Sequence, residues 1–224
     1  YYLNILKLLN FYNKNVTEEV PDKDSIVFFL HRQPEATTNP LGGYFQDQLF
    51  ILDLLLAAVP KGIKIFVKEH PWQFETIGED KNDRSIDFYK YLIKDKRVKI
   101  LSRSLRSESI IRDAGIVVST CGTVAWQSIE LGKASIVFGW QWFTSCKSCY
   151  VVDSVEKLKK AIYKCRTSSS EQVLKDKNEF LYKLKNRIIY GVGHREYLNE
   201  ISESYDKNIG LRNLANALCI IANK

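Results

Sequence analysis

Ile116-Val117-Val118-Ser119-Thr120-Cys121-Gly122-Thr123-Val124-Ala125-Trp126-Gln127 decides the fold. Its three leading β-branched residues read as a strand buried on both faces. That strand passes directly into hydroxyl residues and a glycine, and then into a helical pattern from about 124 to 131 that closes at Gly132. A buried strand feeding a helix through a glycine-containing turn is the repeating unit of a parallel α/β sheet.

The same alternation extends outward in both directions. Upstream, Ser25 to Leu30 is a buried strand, and Phe45, Leu49, Leu52, Leu55 and Leu56 recur at helical spacing until Pro60-Lys61-Gly62. Ile63–Val67 predicts a second strand, 85–93 a helix, 98–101 a short strand and 107–114 a short helix. Downstream, 134–138 and 150–152 predict strands, and Asp153-Ser154 caps a helix running to Tyr163. After residue 166 only helical patterns follow, ending in the stripe Leu211, Leu214, Leu218 and Ile221. The expected fold class is α/β: a Rossmann-like parallel sheet with helices on both faces. The expected organisation is an N-terminal helix and connector over 1–23, a Rossmann-like nucleotide-sugar-binding domain over 24–166, and a helical tail over 167–224 packing on that domain.

Composition narrows the function classes. The 224 residues are 45% apolar, 12% aromatic and 26% charged, enough to bury a real core. No apolar run approaches the ~18 residues of a membrane-spanning helix, and the apolar start Tyr1–Leu9 is too short for a signal peptide. The net charge of +7 is dispersed, as in Lys94-Asp95-Lys96-Arg97, so a solvated surface is expected rather than a nucleic-acid interface. Five cysteines, an odd number, point to a reducing compartment. Cys146-Lys147-Ser148-Cys149 has half the spacing of a zinc site with nothing to complete it, so no metal is expected. The chain contains no methionine, and we read it as a fragment of a longer protein.

Ligands of parallel sheets bind where the carboxyl ends of the strands gather their loops, and this chain's least ordinary residues lie in those loops. Ser119, Thr120, Gly122 and Thr123 surround a helix start, where free amides and a partial positive charge favour a phosphate; the alternative is a plain cap by Ser119 or Thr120. His70 in Lys68-Glu69-His70-Pro71 is aimed by the proline and can donate to a phosphate oxygen; the alternative is a loop histidine satisfied by backbone. His31-Arg32-Gln33-Pro34-Glu35 brings a cation, an amide and a carboxylate to the same edge, with Glu35 as base, nucleophile or sugar-hydroxyl acceptor, or else as the structural partner of Arg32. Trp126, Trp140 and Trp142 read as core in preference to ligand platforms. Asp22-Lys23-Asp24 precedes a strand instead of following one, which places it away from a nucleotide.

Together these segments resemble a known family, the bacterial capsule and surface-polysaccharide biosynthesis proteins, which are glycosyltransferases of GT-B architecture. The resemblance rests on Leu30-His31-Arg32-Gln33-Pro34-Glu35, Gly43-Tyr44 with Asp47-Gln48, Val67-Lys68-Glu69-His70-Pro71, Ser119-Thr120-Cys121-Gly122-Thr123, and Gly132-Lys133 leading to Phe138-Gly139. It implies the C-terminal, donor-binding half of such an enzyme, similar to capsular Kdo transferases and to bacterial sialyltransferases with a His-Pro element. Carried over residue by residue, His70 and Glu35 are catalytic, and Arg32, Gln33, Lys68, Ser119, Thr120, Gly122, Thr123 and Gln127 bind the nucleotide sugar. Gln127 stands where relatives commonly place a ribose-binding glutamate. The resemblance further implies a CMP-sugar donor, a glycan or lipid-linked acceptor, no metal cofactor, no nucleic acid, and a cytoplasmic location that includes peripheral attachment to the inner membrane. The alternatives are a CDP-glycerol-type polyol-phosphate transferase and an inert nucleotide-binding or scaffold module.

Overall fold

The computed structural model describes residues 2–35, 38–74, 84–185, 187–189, 191 and 205–222. In chain order the elements are α1 (Tyr2–Lys14), β1 (Val16–Thr17), β2 (Ile26–Phe29), the single turn α2 (Thr38–Leu41), α3 (Gln48–Ala58) and β3 (Ile65–Lys68). They continue with α4 (Ile86–Leu92), β4 (Val98–Leu101), α5 (Ser107–Asp113), β5 (Ile116–Ser119), α6 (Thr123–Glu130), β6 (Ser135–Val137) and β7 (Cys149–Val151). The last three are α7 (Val155–Thr167), α8 (Ser170–Leu184) and α9 (Lys207–Ala222). Short 3₁₀ turns at Gly43–Gln46 and Pro71–Phe74 follow α2 and β3.

The seven strands form one sheet in the order β1-β4-β3-β2-β5-β6-β7, and every pair is parallel. With β1 set aside and β2 counted first, that order is 3-2-1-4-5-6, the order of dinucleotide-binding sheets. The chain therefore reverses its direction of travel between β2 and β5, and the carboxyl ends at such a reversal are where open α/β sheets hold their ligands.

Period-2 alternation divides the central strands between two apolar layers. Ile26 and Phe28 of β2, with Leu30 just beyond it, face a core that includes Leu8 and Tyr12 of α1, Leu52 and Leu55 of α3, Tyr89 of α4 and Leu158 of α7. Val27 and Phe29 face the opposite way, onto Ile110 and Ile111 of α5, with Val124 of α6 packed alongside. Helices thus cover both faces, as the sequence predicts.

Several boundaries differ from expectation. The helix expected over 45–58 is broken at Asp47, whose carboxylate accepts the Leu49 amide and caps α3. The connector expected before residue 23 supplies β1, and the Tyr12 hydroxyl donates to the Leu101 carbonyl at 2.6 Å. The chain forms two compact units, residues 1–180 and 181–224, so the first extends past both ends of the expected 24–166 span. In the second unit, Leu211 and Leu218 of the terminal stripe are exposed. Among the described residues no helix is long and apolar enough to cross a membrane.

Candidate functional site

At the carboxyl end of β2, Phe29 is paired on one side with Lys68 of β3 and on the other with Ser119 of β5. Two inter-strand spacings separate those partners by about 10 Å. His31, two residues beyond Phe29, is buried between the two loops. Its backbone is held from two directions. The Gln48 side chain accepts the His31 amide at 2.8 Å and donates to its carbonyl at 3.2 Å, and Arg84 Nη2 donates to the same carbonyl at 2.7 Å. The ring lies 3.1 Å through Nε2 from Ser119 Oγ, and Nε2 also accepts the Cys121 amide at 3.2 Å. On its other side Nδ1 is 3.0 Å from Thr38 Oγ1 and 3.4 Å from Glu35 Oε2.

The turn at 119–123 is shaped by that ring. Ser119 Oγ accepts the Gly122 amide at 3.1 Å. A Cβ at position 122 would stand 2.7 Å from Ser119 Oγ and 3.1 Å from His31 Nε2, so the close approach requires glycine. The N-cap of α6 is Gly122, which has no side chain to cap with, and its own amide is the one that Ser119 Oγ takes. The Ala125 amide already bonds the Gly122 carbonyl at 3.1 Å, so the donors this helix end presents are the amides of Thr123 and Val124. Thr120 is fully buried, and among the described residues its hydroxyl has no hydrogen-bond partner. Thr123, the first residue of α6, is exposed. Gln127, one turn further along α6, is also exposed and lines a cavity of about 430 Å³ with Arg106, Glu108, Ile111 and Glu130.

The other predicted residues occupy the same edge in different ways. Lys68 lies away from the turn: its ammonium donates to the carbonyls of Arg103 at 3.0 Å and Glu69 at 3.4 Å, beside β4. Burial pushes its pKa down to about 8, against the pull of the Glu69 carboxylate. The His70 amide donates to Glu69 Oε1 at 2.8 Å, and its Nδ1 accepts the Trp72 amide at 3.2 Å. Burial lowers the His70 pKa, while the nearby carboxylates of Glu35 and Glu69 oppose that and His31 and Arg32 reinforce it. His70 therefore shares the neighbourhood of Glu35 and His31, yet among the described residues the imidazole bonded to the serine turn is that of His31. Glu35 is about one-third exposed, at 36% for its side chain, and reaches His31. Arg32 is half-buried. Gln33 is tied through its backbone to Gln73, at 2.8 and 2.9 Å, and its own Nε2 is buried with no partner among the described residues.

Sequence reasoning missed the support beneath this edge. Glu69, buried at the end of β3, accepts Arg84 Nε at 2.9 Å and the Tyr89 hydroxyl at 2.6 Å. Burial alone would lower the Arg84 pKa, but the Glu69 carboxylate outweighs it and the net shift is upward. A carboxylate inside Lys68-Glu69-His70-Pro71 was the available signal for Glu69. Nothing in the sequence singles out Arg84. Gln48 and His31 both stood in quoted motifs without an assigned role.

Other readings resolve simply. Asp22 lies at the amino end of β2, where its carbonyl accepts the Gly115 amide at 2.9 Å, on the edge opposite the site. Cys146 and Cys149 are buried free thiols, and burial raises both pKa values, that of Cys149 to about 12. Trp126 is buried against Trp142, Phe143 and Phe180, as expected for core, whereas Trp140 and Trp142 are exposed at 64% and 46%.

Set together, this edge holds the start of α6, a glycine on which Ser119 and His31 close, a second imidazole in His70 and one partly exposed carboxylate in Glu35. That combination suits an anionic ester beside a hydroxyl that must lose its proton. No family model and no curated protein matches the chain. Among solved structures it is similar to a UDP-GlcNAc 2-epimerase from Methanocaldococcus jannaschii in complex with UDP-GlcNAc and UDP, at 16% identity over 73% of this chain and 42% of that one, with a TM-score of 0.46. It is similar to Thermosulfurimonas dismutans KpsC, a β-Kdo 2,4 transferase, at 13% identity over 72% and 53% of the two chains, with a TM-score of 0.43. A third is the spinosyn rhamnosyltransferase SpnG complexed with thymidine diphosphate, at 13% identity over 75% and 46%, with a TM-score of 0.44. The chain spans about half the length of these proteins.

Proposed function

We propose that this chain is the donor-binding half of a nucleotide-sugar glycosyltransferase that builds a capsule or surface polysaccharide, with a CMP-sugar as donor. The observation that supports this most is the meeting of the 31–35 loop with the Ser119–Gly122 turn at the reversal point of a dinucleotide-type sheet. In this reading the donor phosphate sits at the start of α6, and Gln127, one turn along, is within reach of the ribose. Thr123 lies beside the phosphate, and Thr120 and Gln33 contribute the buried polar atoms that have no partner among the described residues.

During transfer the anomeric carbon's bond to the phosphate oxygen breaks, and the acceptor hydroxyl oxygen forms the new bond. Glu35 takes the acceptor's proton, and the negative charge remains on the departing nucleotide. His70 and the α6 amides stabilise that charge, a role that fixed donors fill well because they need no reorganisation. Arg32 adds positive charge at the same edge. Lys68, which donates to the carbonyls of Arg103 and Glu69, holds the loop after β4 in this reading. Acceptor recognition, glycan or lipid-linked, is assigned to a second domain, and peripheral attachment to the inner membrane belongs to the same proposal.

Calorimetric titration with CMP, CDP, UDP and ADP tests it. Cytidine nucleotides should bind tightest, with CMP ahead of CDP. CDP ahead of CMP favours the polyol-phosphate transferase, and a preference for uridine or adenine overturns both cytidine readings. Absence of sugar transfer from any nucleotide donor, in a protein joining this chain to an acceptor domain, would leave a binding or scaffold module.

A further inference from the structure

We propose that His31 is a positioning residue for this site: its neutral ring, protonated on Nδ1, fixes the Ser119–Gly122 turn so that the Thr123 and Val124 amides, which precede the Ala125 amide already bonded to the Gly122 carbonyl, are the ones left for an anion. The inference rests on the donor-site reading above and says which backbone groups of that site do the binding.

The hydrogen-bond directions force the tautomer. A backbone amide can only donate, and the Cys121 amide points at Nε2 from 3.2 Å, so Nε2 carries its lone pair there. The ring proton then sits on Nδ1, facing Thr38 Oγ1 at 3.0 Å and Glu35 Oε2 at 3.4 Å, both of which can accept it. Ser119 lies 3.1 Å from the same Nε2, and its oxygen accepts the Gly122 amide. Donors therefore run in one direction from Gly122 N–H to Ser119, from Ser119 to His31, and from His31 to Thr38 and Glu35. Two consequences follow. The Cys121 and Gly122 amides are consumed inside the protein, although they lie nearest the glycine. The orientation of the turn is also coupled to Glu35, the proposed base, through a single ring.

His31 is built to be rigid. Gln48 and Arg84 hold its backbone, the ring is buried, and the missing Cβ of Gly122 is what lets the turn close onto it. A side chain without an acceptor at this position would leave the Cys121 amide and the Ser119 hydroxyl to find other partners, and the α6 start would move.

The test uses the full chain. In the wild type, ¹⁵N-imidazole NMR should show a pyridine-like Nε2 and a pyrrole-like Nδ1 for His31; the reversed pattern, or a doubly protonated ring at neutral pH, overturns the proposal. Titration with CMP then compares variants. His31→Gln keeps an acceptor and should bind within about threefold of wild type, whereas His31→Phe and Ser119→Ala should each weaken binding by about tenfold, the worth of one lost polar contact. His31→Gln binding as poorly as His31→Phe, with unfolding temperatures alike, overturns the positioning role. If His31→Phe does not fold, His31→Gln, Ser119→Ala and the wild-type spectrum still decide. A wild type that binds none of the four nucleotides overturns the donor reading instead, and the spectrum remains the judge of the ring.

Discussion

Lys68 and His70 show how far single residues can be read from their types. Both lie at the carboxyl end of β3, as expected of residues following a strand, and the buried Lys68 ammonium donates to the carbonyls of Glu69 and of Arg103 in the loop after β4. Burial holds its pKa near 8, below its ordinary value of about 10.4. Between those values the unfolded chain binds more protons than the folded one, so stability contributed through Lys68 rises as pH climbs through that window. Urea unfolding at about pH 7 and about pH 9.5 should therefore show wild type gaining on Lys68→Met at the higher pH. Parallel behaviour of the two proteins would remove the buried charge from the account. His70 makes a different prediction. Its ring accepts only the Trp72 amide among the described contacts, so His70→Ala should leave the unfolding midpoint almost unchanged while weakening cytidine-nucleotide binding by about 1–3 kcal/mol. Equal affinity in the variant would take His70 out of the site. The type and place of these residues were legible in the sequence. Their partners were not, because a side chain chooses among neighbours that only folding assembles.

At the scale of elements, the alternation of strand and helix was read correctly wherever apolar periodicity was strong. It failed where an element is too short to show a period. Val16–Thr17 is a strand because β4 offers it an edge, with Val16 beside Ile100 and Thr17 beside Leu101. The break before α3 is set by the Asp47 cap, a local signal that the run of leucines obscured. The junction between β3 and α4 rests on the Glu69–Arg84–Tyr89 cluster, which also reaches the His31 carbonyl. Removing one member of a buried ion pair leaves the other charge stranded, so Glu69→Ala should destabilise the fold by about 3–5 kcal/mol. Replacing both charges, as Glu69→Leu with Arg84→Met, should recover much of that loss in chemical denaturation. A double variant no more stable than Glu69→Ala would show that the contacts with His31 and Tyr89 matter more than the charge pair.

On the scale of the whole molecule, the complete sheet and every candidate site residue lie within residues 1–180, the first compact unit. A chain ending after Leu184, where α8 closes, should bind the preferred nucleotide with unchanged affinity in calorimetry. A large loss would assign part of the site to residues beyond 184. The sequence by itself determined that this is a parallel α/β protein and which loops follow its strands, since apolar periodicity and glycine placement are local properties that survive without knowledge of contacts. It also determined that Ser119–Thr123 opens a helix. Only the tertiary structure decided which imidazole meets that turn, that Lys68 faces away from it, and that Glu69 and Arg84 support it from below. Those outcomes depend on strand order: placing β2 between β3 and β5 brings residues 31 and 119 within a hydrogen bond of each other, across 88 positions of chain that no local pattern can count.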